Sequence, residues 1–174
     1  MWIKFQIDLI LLENKILVKR ISMMRYIFIV LLLIFSCKPQ LDVGLKNSLL
    51  KILSENQKVH EILITKENTI PDTKPLLDSI KEAKLVSDKN ESIKKNLEKM
   101  EADIASISKT DSEAFFASLS SFSETLTEIL KANQIQTEYN KFYCPMVAKY
   151  WIAKGEIVQN PYAPEMRECG ELVK

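Results

Sequence analysis

Four sulfur-bearing side chains near the end of the chain have the types and spacing that metal chemistry requires. They form two pairs, Cys144 with Met146 and Met166 with Cys169, and the partners lie two or three positions apart. Each pair could chelate an ion from one short turn, and together they would supply two to four sulfur ligands. Thiolates and thioethers are soft ligands that select Cu(I), whereas Mg²⁺ and Ca²⁺ prefer oxygen. These four residues predict a soft-metal site, with Cu(I) as the favoured ion.

The two cysteines also allow a purely structural interpretation. In an exported protein a pair of cysteines commonly forms a disulfide, and a Cys144–Cys169 bond would leave the two methionines to pack beneath it. The chain would then be a non-enzymatic interaction protein, and its partner would contact the exposed part of Tyr150-Trp151 or of Asn160-Pro161-Tyr162. The residue types alone leave both interpretations open.

The sulfur pairs belong to a longer run of uncommon residues. In order it contains Tyr143-Cys144-Pro145-Met146, Trp151-Ile152, Glu156 to Tyr162, Met166 and Cys169-Gly170. This run resembles the C-terminal signature of a bacterial domain of unknown function, which occurs as free periplasmic proteins and lipoproteins and fused to CusB-type membrane-fusion adaptors of heavy-metal efflux systems. The resemblance implies a helical domain that handles copper or another heavy metal, with efflux components as partners.

An export signal is predicted at the other end of the chain. Arg25 precedes an unbroken apolar run, Tyr26 to Phe35, which is followed by Ser36 and Cys37. Ten helical residues span about 15 Å, half of a hydrocarbon core of roughly 30 Å. The run therefore fits the apolar part of a secretory signal, and Leu33 to Cys37 resembles a bacterial lipobox.

We therefore expect residues 1–36 to be a signal segment, with residues 1–22 an over-extended start that precedes Met23 or Met24. Cys37 would carry the lipid, residues 37–40 would form a tether, and the mature chain would be a membrane-anchored lipoprotein in the periplasm or at the cell surface. The alternative is an uncleaved anchor helix that begins near Ile16, although Lys19 and Arg20 interrupt it.

Charge and composition exclude several classes of function. The 174 residues carry a net charge of +1, and residues 1–36 contribute five basic and only two acidic side chains, so the chain from Cys37 onward is slightly acidic. Without a basic patch, nucleic acid is not an expected partner. The chain has one histidine, His60, and no glycine-rich phosphate loop, HExxH motif or Cys-x-x-Cys motif. No catalytic role is predicted.

Four amphipathic segments are predicted to form the scaffold of one domain, residues 41–174. Their apolar residues recur at steps of three and four, which places them on one stripe of each helix. Asp88 and Thr110 would begin capping boxes for the third and fourth segments. The predicted stripes are Leu45, Leu49, Ile52, Asn56, Val59 and Leu63; Leu76, Ile80 and Ala83; Ile93, Leu97, Met100, Ile104 and Ile107; and Phe115, Leu119, Phe122, Leu126 and Ile129.

The pattern breaks after Asn133, and no later segment alternates with period two over a useful length. We therefore expect an all-α fold, an antiparallel up-down bundle of about four helices. Residues 134–174 would form an irregular cap that contains the Cys, Met and Trp residues and holds the candidate site on the rigid bundle.

Overall fold

The computed structural model describes residues 19–20, 41–66, 69–107 and 111–173. The chain divides into two units, Met1–Gln40 and Leu41–Lys174, and the elements below belong to the second. Apart from Lys19 and Arg20, the predicted signal segment and the predicted lipidation at Cys37 lie outside the described residues. Within the part of the chain that is described, no helix has the length and apolar character needed to cross a membrane.

Four helices carry the predicted stripes. They are α1 (Val43–Thr65), α2 (Lys74–Leu85), α3 (Glu91–Ala105) and α4 (Ser112–Ala132). Every stripe residue within a helix is buried, and Ile107, just beyond α3, is half-buried. The periodicity therefore identified the core-facing side of each helix correctly, including the polar Asn56, which is 5% exposed.

Short polar side chains set the helix starts. The Asp42 carboxylate accepts hydrogen bonds from the backbone N–H groups of Gly44 and Leu45 before α1. Asn90 caps α3 and Asp111 caps α4 in the same way. The prediction that Asp88 and Thr110 begin capping boxes is wrong by one or two positions, because a second capping side chain follows closely in each case.

Interhelical polar contacts show that α1 runs antiparallel to α2 and that α3 runs antiparallel to α4. Lys51, early in α1, pairs with Glu82, late in α2. Between α3 and α4, Lys99 donates to the Thr125 hydroxyl while Asp103, one turn later, contacts Ser121, one turn earlier. The start of α1 and the end of α2 therefore lie at one end of the bundle. The start of α4 lies at the other, because the segment whose Arg167 contacts Leu63 at the end of α1 also packs Tyr162 on Phe116.

The C-terminal region contains a sheet, so the prediction of an all-α fold is wrong. Strands β1 (Tyr139–Cys144), β2 (Lys149–Lys154) and β3 (Glu171–Val173) form an antiparallel sheet of order β2-β1-β3. A four-residue turn joins β1 to β2, and Ala148 adopts a positive φ of 51° there. The protein is a helical bundle with a small sheet, and the predicted irregular cap is partly regular structure.

Two properties of the strands hid them from the periodicity. Along β1, Phe142 and Cys144 are buried while Tyr139, Lys141 and Tyr143 alternate with them, and tyrosines on the less buried side weaken the polar-apolar contrast. Along β2, Trp151 to Ala153 are all buried, so apolar residues lie on both faces of the strand and the polar-apolar alternation is lost. Aromatic and β-branched residues favour strands, and that preference was the available signal.

Candidate functional site

The two cysteines of the candidate site are joined by a disulfide. Cys144 ends β1 and is fully buried, Cys169 is half-buried shortly before β3, and their Cα atoms are 5.6 Å apart. Because Tyr143 pairs with Glu171 in the sheet, the bond lies at the end of the β1–β3 ladder. It ties the last segment of the chain to the central strand.

The predicted methionine ligands lie on two different turns. Met146, in the turn between β1 and β2, is 71% exposed. Met166 is half-buried at the end of a short 3₁₀ turn, Pro164–Met166. A disulfide has no thiolate to offer a metal ion, so the four residues do not fit Cu(I) in this oxidised form. Among the described residues, no group of three or more His, Cys, Asp or Glu side chains could hold a metal ion.

Helix side chains fill the outer edge of β2. The Asn56 Nδ2 donates to the Ile152 carbonyl at 3.0 Å, and the Tyr150 N–H donates to the Ser120 hydroxyl at 2.9 Å. Further along, the Lys154 N–H donates to the Gln57 side-chain oxygen at 3.0 Å. Side chains of α1 and α4 therefore pair with backbone N–H and C=O groups of β2 that would be unpaired at a free sheet edge.

Most aromatic residues of the region are used for packing. Trp151 stacks on Phe142 with ring centroids 5.5 Å apart and meets the Tyr162 ring edge-on. A Cβ on Gly170 would lie 2.5 Å from Cη2 of Trp151, and Gly170 has a φ of +155°. Glycine is therefore required beside the indole. Trp151 is 2% exposed and Tyr162 is 7% exposed, so neither can supply the contact surface that the structural interpretation assigned to them.

The segment before the 3₁₀ turn is fastened to α1 by an imidazole and a guanidinium. His60 Nε2 lies 3.0 Å from the carbonyl of Gln159. Arg167 donates through Nη1 to the Asn160 carbonyl and through Nη2 to the Leu63 carbonyl, at 2.7 and 2.9 Å. Burial lowers the pKa of His60, partly opposed by its hydrogen bond to Gln159. His60 is therefore a neutral docking residue of the core and not a surface histidine.

One aromatic pair of the sheet stays partly accessible. The rings of Tyr143 and Tyr150, opposite each other on β1 and β2, have centroids 4.5 Å apart, and the Lys141 ammonium lies 4.0 Å above the Tyr150 ring. All three side chains are half-buried. We call these three residues the tyrosine face. The sequence pattern indicated Tyr150 as a contact but not Lys141 or Tyr143, because their shared face is clear only once β1 is recognised as a strand.

A groove begins beside the tyrosine face, between the end of α4 and the sheet. Its volume is about 430 Å³, within the usual range for ligand pockets. The groove combines apolar side chains with two lysines, and neither Lys131 nor Lys141 has an ion-pair partner among the described residues. Its lining residues are Thr127, Leu130, Lys131, Ile135, Gln136, Thr137, Tyr139, Asn140, Lys141, Ile152 and Val173.

Comparison with known proteins identifies no relative of this chain. No protein-family model matches the chain, and neither the curated proteins nor the solved structures compared with it contain a similar protein. The resemblance to the heavy-metal efflux family therefore remains an expectation based on the residue pattern.

Proposed function

We propose that the chain is an exported, lipid-anchored and non-enzymatic binding protein, stapled by Cys144–Cys169, whose contact surface is the tyrosine face with its adjoining groove. The observation that carries the proposal is the Tyr143–Tyr150 pair with Lys141 above it. Tyrosine supplies large contact area at low entropic cost and is enriched at protein interfaces. A partner there would be held on a rigid sheet that is anchored to two helices.

The chemistry of the groove favours one kind of partner. Lys131 and Lys141 form no ion pair with another described residue and so offer positive charge, and Leu130, Ile135 and Val173 offer apolar contacts. Strand β3 is only three residues long, and it is the edge strand on the opposite side of β1 from β2. An extended protein segment with carboxylates next to apolar side chains fits both features, since such segments can add to a sheet edge.

Site-specific crosslinking in cells can test this surface. The full chain would carry a photo-crosslinking amino acid at Tyr143 or, as control, at the exposed Lys95 of α3. We expect a discrete adduct from position 143 and none from position 95, with the adduct identified by mass spectrometry. Equal adducts from both positions would contradict the assignment of the surface.

The affinity of charge variants for the identified partner then measures how much the two groove lysines contribute to binding. The double variant Lys131→Glu/Lys141→Glu should weaken binding by roughly tenfold or more, because both lysines would become repulsive to an acidic segment. Lys95→Glu makes the matched charge change on α3 and should leave the affinity unchanged. An unchanged affinity in the double variant would remove the groove from the proposal.

Soft-metal binding is the second proposed function, and it applies to the reduced protein. The disulfide brings Cys144 and Cys169 to a Cα separation of 5.6 Å. Reduction by a dithiol, itself oxidised to a disulfide, would leave two neighbouring thiols that Cu(I) could bind as thiolates. In that version the protein sequesters Cu(I) or hands it to efflux components, and Met146 or Met166 would complete the site.

A thiol count on freshly purified, unreduced protein separates the two functions. No free thiol at positions 144 and 169 is expected for the binding protein, whereas two would favour the metal site. An anaerobic Cu(I) competition titration would follow on the reduced wild type, Met146→Leu/Met166→Leu and Cys144→Ser/Cys169→Ser. Wild-type binding no tighter than that of either folded double variant would end the metal proposal.

A further inference from the structure

Three of the exposed large apolar side chains belong to the start of α1 and the end of α2. Val43 at the start of α1 is 70% exposed, and Leu85 and Val86 at the end of α2 are 78% and 47% exposed. Because α1 and α2 run antiparallel, the three side chains lie at the same end, where the chain enters the described domain. We call these three residues the entry patch. The capping contact at Asp42 fixes the helix start, so Val43 is held outward by regular structure.

The length of chain ahead of the entry patch limits what can cover it. Val43 lies six positions after Cys37, and even a fully extended chain spans only about 21 Å over that separation. Helix α4, with 21 residues, is about 32 Å long. A domain longer than its own tether must therefore rest close to any surface that holds Cys37. The end of the bundle at which α1 begins, where the tether is attached, is therefore the end that can contact the surface holding Cys37.

We propose that the entry patch inserts into the outer region of the lipid bilayer to which Cys37 anchors the chain. This inference rests on the proposed lipid anchor. Three apolar side chains are too few for a stable interface with a second copy, which needs about 800 Å² from each partner. They suit the boundary of a bilayer, where a tethered protein needs only a weak additional contact to fix its orientation.

The charges around the entry patch favour apolar insertion over electrostatic attraction. Three basic side chains, the exposed Lys46 and Lys89 and the half-buried Lys94 that pairs with Asp88, are balanced by the three exposed carboxylates of Asp42, Asp88 and Glu91. This rim has no excess of positive charge to draw it to anionic headgroups. The contact should therefore depend little on salt or on the fraction of anionic lipid. With this end in the interface, the start of α4 and the turn that contains Met146 point away from the membrane.

A fluorescent amino acid whose emission shifts to shorter wavelength in apolar surroundings provides the test. It would replace Val43 or, as matched control, Met146, because the two side chains are 70% and 71% exposed and lie at opposite ends of the bundle. The protein is the chain from Cys37 onward on phosphatidylcholine vesicles. Intact mass first shows whether Cys37 carries its own lipid; if it does not, the same cysteine is coupled to a maleimide lipid.

We expect a blue shift on the vesicles at position 43 and none at position 146. The double variant Leu85→Ser/Val86→Ser should abolish the shift at position 43 without changing the helical signal in circular dichroism. Equal shifts at both positions, or a shift that requires anionic lipid and disappears in high salt, would overturn the proposal. A shift that grows with protein concentration in the absence of vesicles would overturn it in favour of self-association. Absence of native lipid would refute the anchor alone, because the coupled protein still tests insertion.

Discussion

The side-chain amide of Asn56 donates a 3.0 Å hydrogen bond to the carbonyl of Ile152, a residue 96 positions further along the chain. Asn56 occupies an apolar stripe of α1 and is 5% exposed, and Ile152 is 2% exposed. A polar residue on such a stripe is costly unless it has a partner. This bond therefore explains the polar interruption of the stripe and joins the helical bundle to the sheet.

Replacing Asn56 with leucine should destabilise the protein by about 1–3 kcal/mol, because the buried Ile152 carbonyl would lose its donor. Its neighbour Gln57 provides the control, since its hydrogen bond to the Lys154 N–H lies at an exposed part of the same edge. Gln57→Ala should cost about 1 kcal/mol or less. Urea denaturation of both variants measures the difference. Equal losses would mean that burial of the strand edge is not what makes the Asn56 bond important.

The disulfide should stabilise the C-terminal region more than the helices. It closes a loop with a sequence separation of 25, and the chain-entropy model gives about 3–3.5 kcal/mol for such a loop. Cys144→Ser/Cys169→Ser should lose about that much stability in denaturant. Hydrogen exchange should accelerate first in β1 and β3, while the amides of α3 stay protected. Uniform acceleration through α3 would show that the staple supports the whole fold.

Leu97→Asp should unfold the protein. Leu97 is fully buried in α3, and a lone buried carboxylate without a partner costs several kcal/mol against a stability of about 5–15 kcal/mol. Lys95→Asp introduces the same side chain at an exposed position of the same helix and should change stability by about 0.5 kcal/mol or less. Thermal melts followed by circular dichroism compare the two. A Leu97→Asp variant that melts like the parent would disprove the assignment of this stripe.

Acid should weaken the fold through His60. Burial lowers the pKa of His60 in the folded protein below its ordinary value of 6.5. At a pH between the folded-state pKa and 6.5, His60 is therefore protonated in the unfolded chain but neutral in the folded protein. The free energy of unfolding therefore falls as the pH drops below about 6.5. His60 is the only histidine, so His60→Gln should flatten the curve between pH 7 and 5. Denaturant titrations across that range measure it; an equally steep curve for the variant would assign the effect to other groups.

Alanine substitutions at two glycines with positive φ distinguish the cost of backbone strain from the cost of a steric clash. Gly155 has a φ of +79°, and a methyl group added to its Cα would meet nothing within 4 Å, whereas the same methyl on Gly170 would approach the Trp151 ring to 2.5 Å. Gly155→Ala should cost about 1 kcal/mol of conformational strain. Gly170→Ala should cost clearly more and should alter the near-ultraviolet signal of Trp151. Equal costs in denaturant titrations would show that the indole can move aside.

The helices were predictable from the sequence because each buries one stripe at regular spacing. Leu45, Phe115 and the other stripe residues follow a local pattern whose meaning does not depend on distant residues. The sheet was not predictable in the same way. Its strands have six residues at most, and Trp151 to Ala153 are buried on both sides because α1 and α4 border β2. The packing of α1 and α4 around β2 is a tertiary interaction that the local sequence of β2 does not indicate.

The candidate site also contains one feature that the residue types indicated and others that depend on tertiary packing. The pairing of Cys144 with Cys169 was one of two interpretations of the residue types, and the structure contains the disulfide. The contact role expected for Asn160 and Tyr162 is wrong, since both are buried. The groove beside Lys141 arises where the end of α4 meets the sheet, and no spacing within one segment could indicate it.

The attachment of α1 to the C-terminal region also sets the order in which the protein can be completed during synthesis. Asn56, His60 and the Leu63 carbonyl receive their partners from Ile152, Gln159 and Arg167, which the ribosome adds about one hundred residues later. Within the domain of residues 41–174, the first helix to be synthesised is thus among the last to gain its native partners. A chain that stops before residue 150 would leave these polar groups of α1 without their native partners. Premature termination should therefore damage the part of the domain that was synthesised first.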